Sequence, residues 1–298
     1  MNSRPIISSL LCVLFASVGT INAATSCIWR VGGAKAPCYL VGTVHSLSGS
    51  DFPISPDYNR VYDESKRLVF EIYFDPQGDY NRKFDKAAAY PNGDGVQRHV
   101  HPKTWQIITA NFGNASIFGK PGWLGDTYLS SGIQQMRPWA IAYYFFGIPG
   151  YSDEHLRLGV DNDWMRRGLH SDKELVGLEN DQEHIDVLAG MNDIESELIL
   201  LEAIAFRNKM RPELDQLKAA WKRGDTATIW ALDQRFRKLD PGADARLIDL
   251  RNVKWVPKIR REFESGKPTA IVVGCGHMLG PNGLIALLER NGYHFDQL

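Results

Sequence analysis

The chain has 298 residues, a length typical of one large domain or two small ones and sufficient to bury a sizeable core. Its 34 Lys and Arg residues nearly balance its 35 Asp and Glu residues, and no charge block occurs, which argues against a nucleic acid or an anionic membrane surface as partner. With 44% hydrophobic and 23% charged residues, the composition excludes a disordered, collagen-like or multi-spanning membrane protein. The function must therefore reside in a local site.

Residues 1–23 have the pattern of a secretory signal. Arg4 precedes an apolar run over residues 6–18, which is too short to span a membrane comfortably, and small residues follow up to Ala23. We therefore expect cleavage near Ala23 and a periplasmic or secreted protein. Because no charge lies between Arg4 and Arg30, an uncleaved N-terminal anchor is the alternative.

Export would permit disulfide bonds, and three of the four cysteines lie beyond the signal. Cys27 and Cys38 flank a short segment that contains Gly32 and Gly33 and has the pattern of a β-hairpin. We expect a disulfide between the two strands of this hairpin. The alternative is a pair of unbonded, buried thiols, and Cys275 is left over in either case.

The N-terminal part of the mature chain predicts a strand-helix-strand unit. A short apolar strand at residues 39–41 is followed by a helix that begins at Ser55 and Pro56, and by a second strand at residues 68–74. Such a connection is right-handed, so the two strands are parallel and their carboxyl ends lie at one edge of the sheet. Because no repeat or linker interrupts residues 24–298, we expect a single domain there.

The remaining patterns predict a helical middle region and a second sharply defined unit near the C-terminus. One strand is predicted at residues 174–178. A long helix over residues 244–264 precedes an apolar strand at residues 270–273, and a closing helix covers residues 284–290. A wholly apolar strand between helices is typical of a buried parallel strand, so the patterns predict an α/β protein.

Two of the predicted strands run into the same motif, Gly-x-x-His. The first motif extends from Gly42 to His45, and the second from Gly274 to His277. Ligands of open α/β sheets bind beyond the carboxyl ends of the strands, and a glycine lets the chain turn sharply there, so we expect the two imidazoles to converge. Glu71 lies near the same end of its own apolar strand, where a carboxylate needs a cation, a metal ion or a hydrogen-bond donor.

Two imidazoles and a carboxylate are a common ligand set for a catalytic divalent metal ion that keeps one position open for water. The competing interpretation is that each is an ordinary core residue with satisfied polar atoms. A dinucleotide-binding loop is a rival for the C-terminal glycines, but no complete strand-helix-strand unit follows them. Asp161 and Asp163 begin a calcium-loop pattern that Met165 breaks.

Several motifs together resemble the TraB/GumN family, to which the Tiki proteases also belong. They are the two Gly-x-x-His strands, the strand with Glu71, Arg137-Pro138-Trp139, Gly177-Leu178-Glu179, Arg251-Asn252 and residues 273–284. The resemblance covers nearly the whole mature chain, although the middle matches mainly in spacing. It implies a mixed β-sheet flanked by helices and, by analogy with the Tiki members, peptide hydrolysis that depends on a divalent ion. Manganese and cobalt are the implied ions, and zinc is also compatible.

The resemblance also implies roles for individual residues. His45, Glu71 and His277 match the positions expected to bind the metal, with Glu71 also a candidate for activating water. Arg251 and Asn252 match a polar pair on the long helix and are candidate catalytic residues, with Arg251 stabilising a developing oxyanion or holding a substrate carboxylate.

Three glycines of the two motifs are expected to be structural: Gly42, Gly274 and Gly276. The chain departs from the family pattern at two positions. Cys275 stands where alanine is usual, and we interpret it as a small core residue, with a thiolate near the metal as the alternative. His184 stands where the Leu-Glu segment often continues to a glutamine.

The favoured hypothesis is therefore an exported, divalent-metal-dependent peptidase that acts on a peptide or protein. It has no nucleic acid partner and no membrane association beyond an uncleaved anchor, and the sequence favours no particular oligomeric state. A non-catalytic ligand-binding or regulatory protein of the same fold is the second hypothesis. Metal-free hydrolysis of an ester by the same His and Glu residues is the third.

Overall fold

A computed structural model of the protein describes residues 26–73, 75, 77–112, 132–145, 158–206, 210–239 and 241–298. The signal-like segment 1–23 lies outside the described residues. The described part contains a six-stranded mixed β-sheet flanked by helices, which confirms the expected α/β class. Among the described residues, no helix combines the length and the apolar character needed to cross a membrane.

The strands of the sheet are β1 (Ile28–Gly32), β2 (Cys38–Thr43), β3 (Arg67–Ile72), β4 (Glu174–Glu179), β5 (Thr269–Gly274) and β6 (His294–Gln297). Their order across the sheet is β4-β3-β5-β2-β1-β6. The first four strands in this order run parallel, while β1 is antiparallel to both β2 and β6. Strands β2 and β5 are buried along their whole length, as their continuous apolar sequences require.

The helices are numbered in chain order. They are α1 (Asp57–Glu64), α2 (Tyr80–Ala88), α3 (Pro102–Phe112), α4 (Pro138–Phe145), α5 (Val160–Gly168), α6 (Asp181–Ala189), α7 (Asp193–Phe206), α8 (Met210–Lys222), α9 (Thr226–Leu239), α10 (Pro241–Asp244), α11 (Leu250–Glu264) and α12 (Leu284–Glu289). The predicted long helix near the C-terminus is interrupted, because a π-helical turn over Ala245–Asp249 joins α10 to α11.

The hydrophobic core has two parts. The first surrounds the sheet, where strands β2, β3 and β5 pack against three buried indoles, those of Trp164, Trp221 and Trp255. The second lies among α2, α3, α4, α6 and α7 and includes Phe84 and Trp139. The helical middle region predicted from the sequence therefore has a core of its own beside the sheet.

Strand β5 lies between the two strands of the predicted N-terminal unit. It pairs in parallel with β2, placing Thr43 beside Gly274, and with β3, placing Phe70 beside Val272. Parallel strands in these registers end at the same edge of the sheet. Both Gly-x-x-His turns and the end of β3 consequently lie side by side, which is the arrangement that the sequence pattern predicts.

The disulfide predicted between Cys27 and Cys38 is wrong, since both residues are free, buried thiols. The predicted hairpin is present, but its register pairs Ile28 with Val41. Cys27 therefore lies beside Gly42 at the end of β2, whereas Cys38 lies at its beginning. Four residues of strand separate these positions by about 13 Å, while bonded cysteines have Cα atoms within about 7 Å of each other.

Candidate active site

Side chains from four parts of the chain meet beyond the carboxyl end of the sheet. His45 follows β2, Glu71 belongs to β3, Arg251 belongs to α11, and His277 ends a 3-10 turn after β5. Glu71 Oε1 lies 3.9 Å from His45 Nε2 and 3.7 Å from His277 Nε2. The structure thus brings the three predicted metal ligands together, while their roles stay predictions.

The Glu71 carboxylate is held at both oxygens. The backbone N–H of Gly274 donates to Oε1 at 2.8 Å, and Arg251 Nη2 donates to Oε2 at 2.8 Å. Burial disfavours the charged form, but Arg251 and the two histidines outweigh burial and hold the pKa of Glu71 well below its usual range. Glu71 is therefore an anion at neutral pH, paired with the Arg251 cation.

His45 is the exposed imidazole of the site, with 47% of its side chain accessible. Its Nδ1 lies 2.7 Å from Asp161 Oδ2, near the beginning of α5. The charge of Asp161 and its hydrogen bond to the ring raise the pKa of His45 to about 9. Because Asp161 occupies Nδ1, the Nε2 atom is left on the side that faces Glu71.

His277 is the buried imidazole, with only 4% of its side chain accessible. Burial lowers its pKa to about 4 despite the nearby Glu71 anion, so the ring is neutral at neutral pH. Its Nδ1 lies 2.7 Å from Asn252 Oδ1. An amide oxygen only accepts hydrogen bonds, so this contact assigns the ring proton to Nδ1 and leaves a lone pair on Nε2.

Arg251 links Glu71 to a second buried carboxylate. Its Nε and Nη2 donate to the two oxygens of Glu179 at 2.7 and 3.0 Å, and its Nη1 donates to the carbonyl of Leu247 in the π-helical turn at 3.2 Å. Nη1 also lies 3.4 Å from His277 Nε2. A guanidinium with these partners serves first to neutralise Glu71 and Glu179, and its predicted catalytic role stays a prediction.

Asn252 is fully buried and its amide is committed to the turn that carries His277. Its Nδ2 donates to the carbonyls of His277 and Asn282 at 3.2 and 2.9 Å. These two bonds fix the orientation of the amide and thereby point Oδ1 at His277 Nδ1. Asn252 accordingly orients an imidazole in this structure, and its direct part in catalysis stays a prediction.

The structure gives steric reasons for two of the three predicted structural glycines. A Cβ atom at Gly42 would lie 3.1 Å from the carbonyl oxygen of Cys27, and one at Gly274 would lie 3.2 Å from His45 Nε2. Gly276 has space for a methyl group, with its nearest neighbour at 3.9 Å. Burial raises the pKa of the Cys275 thiol to about 12, which is consistent with the interpretation of a small core residue.

Sequence reasoning missed the partners that hold these residues. The sequence pattern around Asp161 indicated only an incomplete calcium loop, and 116 positions separate this residue from His45 in the chain. Glu179 entered as part of a motif without a role, yet it receives hydrogen bonds from Arg251 and from Trp255 Nε1 and lies 2.9 Å from His184 Nδ1. A buried carboxylate at the end of a strand is the one signal that could have suggested a role for Glu179.

The donor set fits a divalent metal ion in kind. Each imidazole has its Nδ1 engaged and its Nε2 facing Glu71, as is usual for histidines that bind metals. Glu71 Oε1, with the two Nε2 atoms at 3.9 and 3.7 Å from it, and those two Nε2 atoms are the atoms that would hold the ion. In the described ranges, no group of three or more His, Cys, Asp or Glu residues is arranged to hold an ion as it stands.

The comparisons with known proteins agree with the resemblance noted above. No curated protein and no solved structure matches the chain. The family model described as the TraB/PrgY/gumN family matches residues 27–297, which include both Gly-x-x-His turns, Glu71 and the polar pair of α11. With nearly the whole chain matched, the protein belongs to the TraB/PrgY/gumN family.

Proposed function

We propose that this protein is a hydrolase that cleaves peptide bonds with the help of a divalent metal ion held by His45, Glu71 and His277. The observation that carries the proposal is the approach of two Nε2 atoms to one carboxylate oxygen, at 3.9 and 3.7 Å, while both Nδ1 atoms are engaged elsewhere. A divalent ion bound there would lower the pKa of a water molecule and polarise the scissile carbonyl. Manganese or cobalt is the ion implied by the family resemblance.

The charge states of the residues support this proposal. Glu71 is anionic at neutral pH, and its Oε1 atom, which Arg251 does not occupy, is the oxygen available to a cation. His277 is neutral and offers a lone pair on Nε2 without first losing a proton. His45, with a pKa of about 9, releases its proton to solvent when a cation takes the place of that proton, and its exposed ring permits the exchange.

A second candidate, metal-free hydrolysis, is favoured by the contact between His45 and Asp161. A carboxylate on Nδ1 orients an imidazole as in the acid-base residues of many hydrolases. With a pKa of about 9, however, His45 is protonated at neutral pH and is suited to donate a proton rather than to abstract one from water. The metal-assisted reaction is therefore the preferred proposal.

We also propose where the protein acts and on what. The signal-like pattern of residues 1–23 supports export to the periplasm or to the exterior of the cell. The family resemblance supports a peptide or protein substrate. A ligand-binding or regulatory role would use the same cluster without turnover, and the experiment below distinguishes it.

The test uses the mature chain, residues 24–298, stripped with a chelator and reloaded with Mn²⁺, Co²⁺ or Zn²⁺. Elemental analysis measures bound metal, and a quenched-fluorescence peptide library measures cleavage. We expect about one ion per chain, cleavage with Mn²⁺ or Co²⁺, and loss of cleavage when the chelator is added again.

Variants connect the result to the site. Glu71→Gln and His277→Gln should each reduce metal affinity and cleavage by about 100-fold or more, whereas Glu289→Gln and His170→Ala, at exposed positions, should match the wild type. Circular dichroism selects the variants that remain folded. Cleavage that persists with the chelator but is lost in His45→Gln supports the metal-free candidate. Metal uptake without cleavage supports a binding role. The absence of both metal uptake and cleavage contradicts the proposal.

A further inference from the structure

We infer that Asp161 is a positioning residue for His45, one that keeps Nδ1 of the imidazole protonated and its Nε2 directed at Glu71. The inference deepens the proposed function and rests on it for the importance of His45. It concerns a residue 116 positions away in the chain, on helix α5, which reaches the site through the contact of Asp161 with His45.

The beginning of α5 packs on His45 in two ways at once. Asp161 Oδ2 lies 2.7 Å from His45 Nδ1. Two residues earlier, a Cβ atom at Gly159 would lie only 2.1 Å from the backbone oxygen of His45, so the helix approaches the main chain as closely as a glycine allows. The segment therefore fixes both the backbone and the ring of His45, and the ring has little freedom to rotate away from Glu71.

Helix formation does not account for the Asp161 side chain. A carboxylate in the first turn of a helix commonly accepts a backbone N–H, yet among the described residues the hydrogen-bond contact of the Asp161 side chain is the one from Oδ2 to His45 Nδ1. The Asp161 side chain is only 19% exposed, and across the described residues Oδ1 is buried with no hydrogen-bond partner. An unpaired buried oxygen costs stability. The structure tolerates this cost in a residue whose carboxylate contacts His45. Local costs of this kind are typical of functional sites.

The corresponding contact at His277 supports the same reading. Asn252 Oδ1 lies 2.7 Å from His277 Nδ1, so each histidine has an oxygen acceptor at the same ring atom and the same distance. The acceptor differs in charge, since the buried ring receives a neutral amide and the exposed ring a carboxylate. A carboxylate on Nδ1 both selects the tautomer and increases the electron density at Nε2, which strengthens it as a ligand.

Substitutions separate orientation from charge. Asp161→Asn keeps an oxygen acceptor without the charge, whereas Asp161→Ala removes both. We expect Asp161→Ala to weaken metal affinity and cleavage by about 10- to 100-fold and Asp161→Asn to restore a large part of the loss. Asp172→Ala, at an exposed position in the turn after the same helix, is the matched control and should match the wild type.

A spectroscopic measurement tests the inference without activity. In metal-free mature protein with ¹⁵N-labelled histidine, the His45 Nδ1–H bonded to a carboxylate should give a proton signal well downfield of the backbone amides. This signal should disappear in Asp161→Ala and in His45→Gln, move upfield in Asp161→Asn, and persist in Asp172→Ala. The His277 resonances serve as an internal reference for folding, because Asn252 holds that ring independently.

The outcomes distinguish this inference from the proposed function. If Asp161→Ala leaves the downfield signal in place and changes metal affinity and cleavage by less than twofold, the inference is overturned while the hydrolase proposal stands. If the wild type neither binds metal nor cleaves peptides, the hydrolase proposal fails, and the signal still decides whether Asp161 orients His45. Loss of the signal in Asp161→Ala, with partial rescue of affinity in Asp161→Asn, supports the inference.

Discussion

The two Gly-x-x-His turns have the same motif and face the same carboxylate, yet their environments are opposite. His45 is 47% exposed, contacts the carboxylate of Asp161 and has a pKa raised to about 9. His277 is 4% exposed, contacts the amide of Asn252 and has a pKa lowered to about 4. The motif therefore determines where an imidazole lies, while burial and the partner on Nδ1 determine its charge.

This difference gives the site one proton that is exchangeable at neutral pH. The His277 ring is already neutral at this pH. Glu71 is already ionised, because the nearby Arg251 cation stabilises its anionic form. A cation bound as proposed above would therefore displace a proton from His45 rather than from His277. Pairs of titratable groups with pKa values driven apart are typical of catalytic sites, where each member has a distinct role.

Removing Arg251 should have the largest effect on stability. Among the contacts described above, Arg251 reaches Glu71 and His277 but not His45, so its loss affects the buried side of the site. Arg251→Met leaves Glu71 and Glu179 buried without their cation and should lower the free energy of unfolding by about 3–5 kcal/mol. Urea denaturation measures the change. The matched control is Arg261→Met, an exposed position on the same helix, which should change stability by less than about 0.5 kcal/mol. A loss below about 1 kcal/mol for Arg251→Met would contradict the role of Arg251 as the cation that neutralises Glu71 and Glu179.

Replacing each histidine separately tests the comparison directly. His277→Ala removes a buried ring that packs on Trp255, with centroids 4.5 Å apart, and leaves the Asn252 oxygen unpaired. We expect it to lower the free energy of unfolding by about 2–4 kcal/mol, whereas His45→Ala should lower it by less than about 1 kcal/mol. Denaturation of both variants at pH 7.5 measures the two values. Equal losses would break the distinction between a buried turn and an exposed one.

The pH dependence of stability should have one limb for each histidine. The folded pKa of His277 is lowered to about 4, so its contribution is present above an unfolded pKa of about 6.5 and is lost as the pH falls towards 4. The folded pKa of His45 is raised to about 9, so its contribution is fully present below about 6.5 and is lost as the pH rises through 9. Free energies of unfolding from pH 4 to 10 should show a weaker acid limb in His277→Gln and a weaker alkaline limb in His45→Gln. The same limb lost in both variants would refute the assignment.

The smallest effects should come from the residues directly after the motif glycines. Within the described part of the chain, the buried hydroxyl of Thr43 has no hydrogen-bond partner. Thr43→Val keeps the shape without that hydroxyl and should raise the free energy of unfolding by about 0.5–1 kcal/mol. Cys275→Ala, at the equivalent position of the second turn, removes a packed sulfur and should lower it by about 1 kcal/mol. Calorimetry measures both, and a destabilising Thr43→Val would show that the hydroxyl is not an unpaired group.

Local patterns in the sequence were sufficient to predict the α/β class, the helical middle region and the approach of His45, Glu71 and His277. Apolar strands, the glycines after them and the parallel direction of β2 and β3 all depend on residues close together in the chain. For the same reason the hairpin of β1 and β2 was predicted correctly. The disulfide was not, because a strand register depends on which side chains of the whole sheet are buried, and this register separates Cys27 from Cys38 along β2.

The charge states of the site depend on contacts between distant parts of the chain. Asp161 reaches His45 across 116 residues because α5 packs closely enough for only a glycine to stand at position 159. Asn252 reaches His277 from α11, and Arg251 joins β3 to β4 through two carboxylates. Periodicity encodes which residues lie at the end of a strand, because it repeats over a few positions. It does not encode which distant helix supplies an acceptor to a ring nitrogen, since that depends on how the helices pack against the sheet.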